Sequence, residues 1–154
     1  MSELAPDRFQ IGTHQIHFRA PEELTLELVG PMSVEEAERL SDLILELTAR
    51  HGALYVLVDS ARIVSSGHRV RKVFAESDMF SKQLRAVAVW GAAFPLRIAI
   101  NMVIKASSRL LPGSFQFPLE FFATEQQARA WMDSVRDGHL AEQGAQQRLQ
   151  ATGT

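Results

Sequence analysis

Hydrophobic positions change their period several times along the first sixty residues. Leu24, Leu26 and Leu28 alternate with Glu23, Thr25 and Glu27, the period-two pattern of a strand buried on one face. Arg8 to Arg19 predicts an earlier strand. Ala20-Pro21-Glu22 between the two predicts a turn, and hence an antiparallel pair. Past Gly30-Pro31 the period lengthens. Ala37, Leu40, Leu43, Ile44 and Leu47 make the buried stripe of a helix that runs to about Arg50. Ser33, with Glu36 three residues on, predicts a capping box at its start, and Gly52 is placed to stop it. Ala53 to Val58 (ALYVLV) is apolar without alternation, as in a strand covered on both faces.

The second half repeats the scheme. A helix is predicted from roughly Gly67 to Lys82, a strand from Arg85 to Trp90 and a helix from Phe94 to Leu111, closed by Leu111-Pro112-Gly113. Leu119 to Ala123 predicts the last strand. Thr124 and Gln127 then open a helix whose Ala128, Trp131, Met132 and Val135 share one face, with Gly138 ending it. The order is β-β-α-β-α-β-α-β-α, an α/β fold with a mostly parallel mixed sheet of about five strands and four helices. Residues 1–7 form an N-terminal extension, 8–137 the domain and 138–154 a polar tail. The tail, rich in Gln and Ala, is either a frayed helix or disordered.

Composition narrows the functional classes. The 154 residues are 46% hydrophobic and 22% charged, ordinary for one globular domain. There is no cysteine, so disulfides and thiolate chemistry are absent, which suits a cytoplasmic protein. The segment 94–111 carries Arg97, Lys105 and Arg109, too many charges for a membrane span, and the first ten residues lack a signal-peptide pattern. The net charge of -2 conceals an asymmetry. Residues 1–59 hold 4 Lys/Arg against 11 Asp/Glu, and residues 60–122 hold 9 against 3. The basic middle either folds against the acidic start or faces an anionic partner.

Catalytic constellations are not found. His14 and His17 lie three apart on a strand and so point to opposite faces, and His51, His68 and His139 are scattered, which argues against a metal site. No nucleophile elbow, P-loop or dinucleotide-binding glycine pattern occurs. The basic segment lacks interleaved aromatics, so nucleic acid is not expected as a partner. We expect no enzyme activity and no cofactor.

Four stretches carry a resemblance: VLVD at Val56–Asp59, Ser65-Ser66-Gly67 at the opening of the second helix, AVAVWG at Ala86–Gly91, and FFATEQQARAWM at Phe121–Met132. With the element order they resemble the STAS domain, in particular its SpoIIAA-like branch of small stand-alone bacterial proteins, over roughly residues 8 to 137. The resemblance implies a STAS/SpoIIAA-like fold and a non-enzymatic regulatory protein-interaction domain, an anti-sigma-factor antagonist whose partner is a kinase-type anti-sigma factor. In that family a serine of an Asp-Ser-Ser-Gly loop is phosphorylated. Here Val64 stands at the Asp position.

Three readings of Ser65-Ser66-Gly67 stay open. A serine hydroxyl there can cap the second helix. It can be a phosphoswitch, with Arg69, Arg71 and Lys72 close by. The helix start and the same basic residues can also hold an anion or a phospholipid headgroup. Asp59, at the carboxyl end of a parallel strand, is a candidate ligand contact, or it bonds a nearby backbone turn. In the third helix Arg97, Asn101, Lys105 and Arg109 are spaced by four in an otherwise apolar segment. Its apolar surface exceeds what one face needs. The remainder meets the second helix, an apolar ligand, a protein partner or homodimer, or a membrane surface with the basic residues at the headgroups. Lipid or anionic small-molecule binding with peripheral membrane association is therefore the alternative function.

Overall fold

The computed structural model describes residues 7–64, 67–78, 84–110 and 117–152. Six strands form one sheet in chain order: β1 (Asp7–Ile11), β2 (His14–Arg19), β3 (Glu23–Gly30), β4 (Leu54–Ile63), β5 (Leu84–Trp90) and β6 (Leu119–Phe122). The first two pairings are antiparallel and the other three parallel. The helices among the described residues are α1 (Val34–His51), α2 (His68–Ala75), α3 (Phe94–Leu110) and α4 (Glu125–Thr152).

The additional strand comes from the predicted segment Arg8–Arg19, which is two strands. Ile11 pairs with His14, leaving Gly12-Thr13 as a two-residue hairpin turn. Gly12 has φ 60, the left-handed conformation that such turns demand and glycine supplies without strain.

Topology then decides what covers each face. The three parallel crossovers, through α1, α2 and α3, all step in one direction along the sheet. Right-handed crossovers therefore place all three helices on one face. Only α4, which follows the last strand, is free to cover the other. The core divides accordingly. Leu24, Leu26, Val56, Val87 and Val89 pack with Leu40, Ile44 and Leu47 of α1 and Val70 of α2. On the opposite face Tyr55, Leu57, Ala86, Ala88 and Trp90 pack with Ala128 and Met132 of α4. Leu54 to Leu57 are all buried because consecutive residues of a central strand meet the two cores in turn.

Local signals set the helix ends. Glu36 N–H donates to Ser33 Oγ at 3.1 Å and Ser33 N–H to Glu36 Oε1 at 2.9 Å, the full capping box of α1. Gly52 closes that helix with φ 86. At α4, Gln127 N–H donates to Thr124 Oγ1, while the Gln127 side chain accepts from Ala123 N–H, one residue before the expected partner. Two ends differ from expectation. α2 stops at Ala75 instead of running toward Lys82. α4 passes straight through Gly138 to Thr152, 28 residues or about 42 Å. A mid-helix glycine costs only about 1 kcal/mol relative to alanine, too little to stop a helix whose preceding turns are anchored on the sheet.

Candidate functional site

The face covered by three helices is not filled. A partly open cavity of about 200 Å3 lies between the sheet and α1, α2 and α3. The floor is aliphatic: Leu26, Val58 and Val89 from the strands. Val70 and Phe74 of α2 form one wall, and Leu96, Ile100 and Val103 of α3 another. Its α3 wall spans Leu96 to Ile104, eight residues of rise or about 12 Å, so the cavity is a slot. Ser60 and Arg71 are the polar residues among the described residues that line it. Ser60 Oγ donates to the Trp90 carbonyl at 2.8 Å and is thereby satisfied within the fold. No carboxylate, histidine or nucleophile–base pair faces the slot among the described residues.

The wall formed by α3 is unusual. No described side chain of this helix is fully buried. Its slot-facing residues are half-buried, and the opposite surface carries Phe94, Ile98 and Met102 at 73%, 44% and 53% exposure. These three are spaced by four and form one outward ridge. Arg97, Lys105 and Arg109 are exposed, on a stripe about 60° around the helix from that ridge. Arg97 sits 5.3 Å from the Phe121 ring centroid and donates from Nε to the Ala92 carbonyl at 3.3 Å. The basic stripe expected from spacing is therefore present, and it borders exposed apolar side chains on the same helix.

The other predicted residues are distributed differently. Ser65 and Ser66 lie outside the described residues. Gly67, expected to open the second helix, holds its N-cap position, where no side chain can accept a bond. Arg69 and Lys72 are exposed, and Lys72 pairs loosely with Glu76 at 3.9 Å. Arg71 turns the other way and lines the slot. Asp59 is not at a strand end, because β4 continues to Ile63. It lies opposite Trp90 and Glu27, on the α4 side of the sheet, away from the slot. Its Oδ1 accepts from Ala61 N–H at 3.1 Å, the backbone-turn role weighed above. Just beyond it β4 bulges, with Ser60 and Ala61 facing the single residue Leu28 of β3. The bulge keeps Ser60 and Leu28 at the slot.

Sequence reasoning did not find the slot. Its lining residues have the same spacing as a filled core, and nothing in an aliphatic pattern says how far a helix stands from a sheet.

A mixed sheet entered by a hairpin, continued by three parallel crossovers and backed by one long helix defines an α/β domain of the STAS type. The chain belongs to the SpoIIAA-like family, whose profile matches residues 24–133. Among solved structures it is similar to an uncharacterized protein of the DUF3478 family with a SpoIIAA-like fold from Shewanella loihica PV-4. That match has 16% identity and a TM-score of 0.52, and covers 83% of this chain and 92% of the other. It is also similar to the anti-sigma factor antagonist SpoIIAA in its unphosphorylated form, with 13% identity and a TM-score of 0.51, covering 80% of this chain and 98% of the other. At these identities the likeness is one of fold. No curated protein matches the chain.

Proposed function

We propose that this is a non-enzymatic binding domain that takes an apolar guest in the slot beneath α3 and does so at a lipid surface. The slot itself carries the reading: about 200 Å3 bounded almost wholly by aliphatic side chains. An engineered cavity of about 150 Å3 with such a lining stays dry and accepts benzene, so this one suits a short alkyl chain or a small ring. The outward surface of α3 supports the second half. Phe94, Ile98 and Met102 can enter the acyl boundary while Arg97, Lys105 and Arg109 meet anionic headgroups. No helix among the described residues is long and apolar enough to cross a membrane; the association proposed is peripheral, with the chain in the cytoplasm.

The test has two arms. Protein purified without detergent is extracted and the extract analysed by mass spectrometry, and binding of a neutral apolar dye is titrated before and after extraction. Co-purifying lipid, or dye uptake that rises after extraction, supports the slot. No lipid and no dye uptake sinks it. Flotation with phosphatidylglycerol vesicles, compared with phosphatidylcholine, tests the surface. Binding is expected to fall with salt and to vanish on joint charge reversal of Arg97, Lys105 and Arg109. A protein that stays unbound at low salt excludes the membrane role while leaving the slot standing.

A regulatory protein-interaction role is the second reading, favoured by the family and by the exposed start of α2 at Gly67, Arg69 and Lys72, which follow Ser65 and Ser66 in the sequence. In that reading a kinase-type anti-sigma factor docks there, and Ser65→Glu or Ser66→Glu changes its capture with an unchanged melting temperature. A drop in stability alone would instead mark the serine as structural. The exposed ridge of α3 also suits a homodimer. Concentration-dependent sedimentation abolished by Ile98→Glu would support that arrangement.

A further inference from the structure

On the opposite side of the sheet, where α4 runs past Gly138, three polar side chains gather around the protein's single tyrosine. Tyr55 is 2% exposed and its hydroxyl lies 2.6 Å from His139 Nδ1. The Arg136 guanidinium stacks over its ring, 4.8 Å from the centroid, and the Arg85 charge lies near enough to act on the phenol. Beside them opens a second cavity of about 270 Å3, lined by Arg85, His139, Glu142, Gln143 and Gln146 with Leu84 and Phe117.

Between the Tyr55 hydroxyl and His139 Nδ1 either atom can donate, according to the imidazole tautomer. Arg85 Nε is buried with no protein acceptor, and no carboxylate lies within 4.0 Å of Arg85 among the described residues. Arg136 has Glu22 at 3.7 Å, yet its Nε and Nη2 also lack hydrogen-bond acceptors. A buried guanidinium left short of acceptors is costly, and the acceptor it favours is a planar or tetrahedral oxyanion. Glu142 is the one carboxylate lining the cavity, and it is exposed.

We propose that this cavity binds a small oxyanion-bearing molecule, a carboxylate or a phosphate monoester, with Arg85 as the main anchor, the His139 ring beside it and the Gln143 and Gln146 amides adapting to the remainder of the ligand. The cavity falls below the roughly 300 Å3 at which drug-sized pockets begin, so the ligand is small. Leu84 borders both this cavity and the slot beneath α3, but none of the polar residues named here lines the slot.

Calorimetric titration at constant ionic strength, with inorganic phosphate and citrate against a chloride control, tests it. Saturable binding of either anion is expected, and which one binds more tightly names the ligand class. Arg85→Gln should weaken it by about tenfold or more, the loss of a charge-assisted bond. Since Arg85→Gln also removes a charge beside the buried Tyr55, the deciding variant is the surface change Glu142→Gln. Removing the competing carboxylate should tighten anion binding several-fold with the fold untouched, and shift the His139 ring resonances further on titration. Heats identical to chloride in wild type and Glu142→Gln alike would overturn the proposal, as would phosphate binding that Arg85→Gln leaves unchanged.

Discussion

The same strands present two differently finished faces. Toward α4, β5 offers Ala86 and Ala88, and α4 answers with Ala128, fully buried. Small residues on both sides let helix and strand approach closely, and Tyr55, Trp90 and Met132 fill the margins. Toward α3, the same strand offers Val87 and Val89, yet no described α3 side chain is fully buried and about 200 Å3 stays open. Hydrophobic character does not separate the faces, since the α3 side is the more aliphatic. What separates them is whether complementary shapes close the gap. One face is built to hold the fold together, the other to receive something.

The sharpest way to break this contrast is to truncate one side chain on each face. Met132→Ala on the closed face removes a side chain that is 2% exposed and should cost about 2–5 kcal/mol in denaturant unfolding. Ile100→Ala, at the slot, enlarges a space already open and should cost roughly 1 kcal/mol. Equal losses would mean that α3 closes onto the sheet in solution. Enlarging side chains gives a smaller effect whose sign differs between the two faces. Ala128→Leu overpacks a closed contact and should destabilise by about 1–3 kcal/mol. Ala99→Leu projects into the slot and should be neutral or stabilising by up to about 1 kcal/mol. It should also abolish dye binding there. A destabilising Ala99→Leu with dye binding intact would contradict the assignment of the slot.

The closed face was the legible one. The stripe Ala128, Trp131, Met132, Val135 announces a helix face, and the uniform apolar run Leu54–Val58 announces a strand between two layers; both are local patterns. Gly12-Thr13 was misread as strand although glycine at the first turn position is a hairpin signal, because the flanking residues have strand character on both sides. The slot was illegible for a deeper reason. Periodicity fixes which residues face inward, and leaves the distance between layers to tertiary packing. The Tyr55–His139 contact was lost through one boundary. With the helix stopped at Gly138, His139 had no position, whereas one further turn of α4 carries it over the tyrosine. The basic stripe of α3 and its surplus of apolar surface were readable from the sequence; which apolar residues stay exposed, Phe94, Ile98 and Met102, became visible only in the fold.

The smallest effect sharpens the contrast through pH. Titratable groups lie on the α4 side of the sheet: Glu23 pairs with Arg129 at 3.2 Å, Glu22 with Arg136 at 3.7 Å, and His17 lies in the same layer. Burial, reinforced by Arg8 and Arg19 and opposed by Glu23, lowers the His17 pKa below its ordinary 6.5. The folded chain thus resists a proton that the unfolded chain accepts. Stability from this group is full above about pH 6.5, declines as pH falls through the window down to the lowered folded value, and levels off below it. Denaturant midpoints should therefore drop modestly between about pH 7.5 and about pH 5.5, and His17→Gln should flatten that slope. The slot has Arg71 as its sole ionisable lining residue among the described residues, and arginine keeps its charge throughout. Affinity for a neutral apolar dye should accordingly stay constant over the same range. If dye affinity instead tracked the stability slope, the two faces would be coupled through the sheet, and the receiving face would be tuned by the protonation of the closed one.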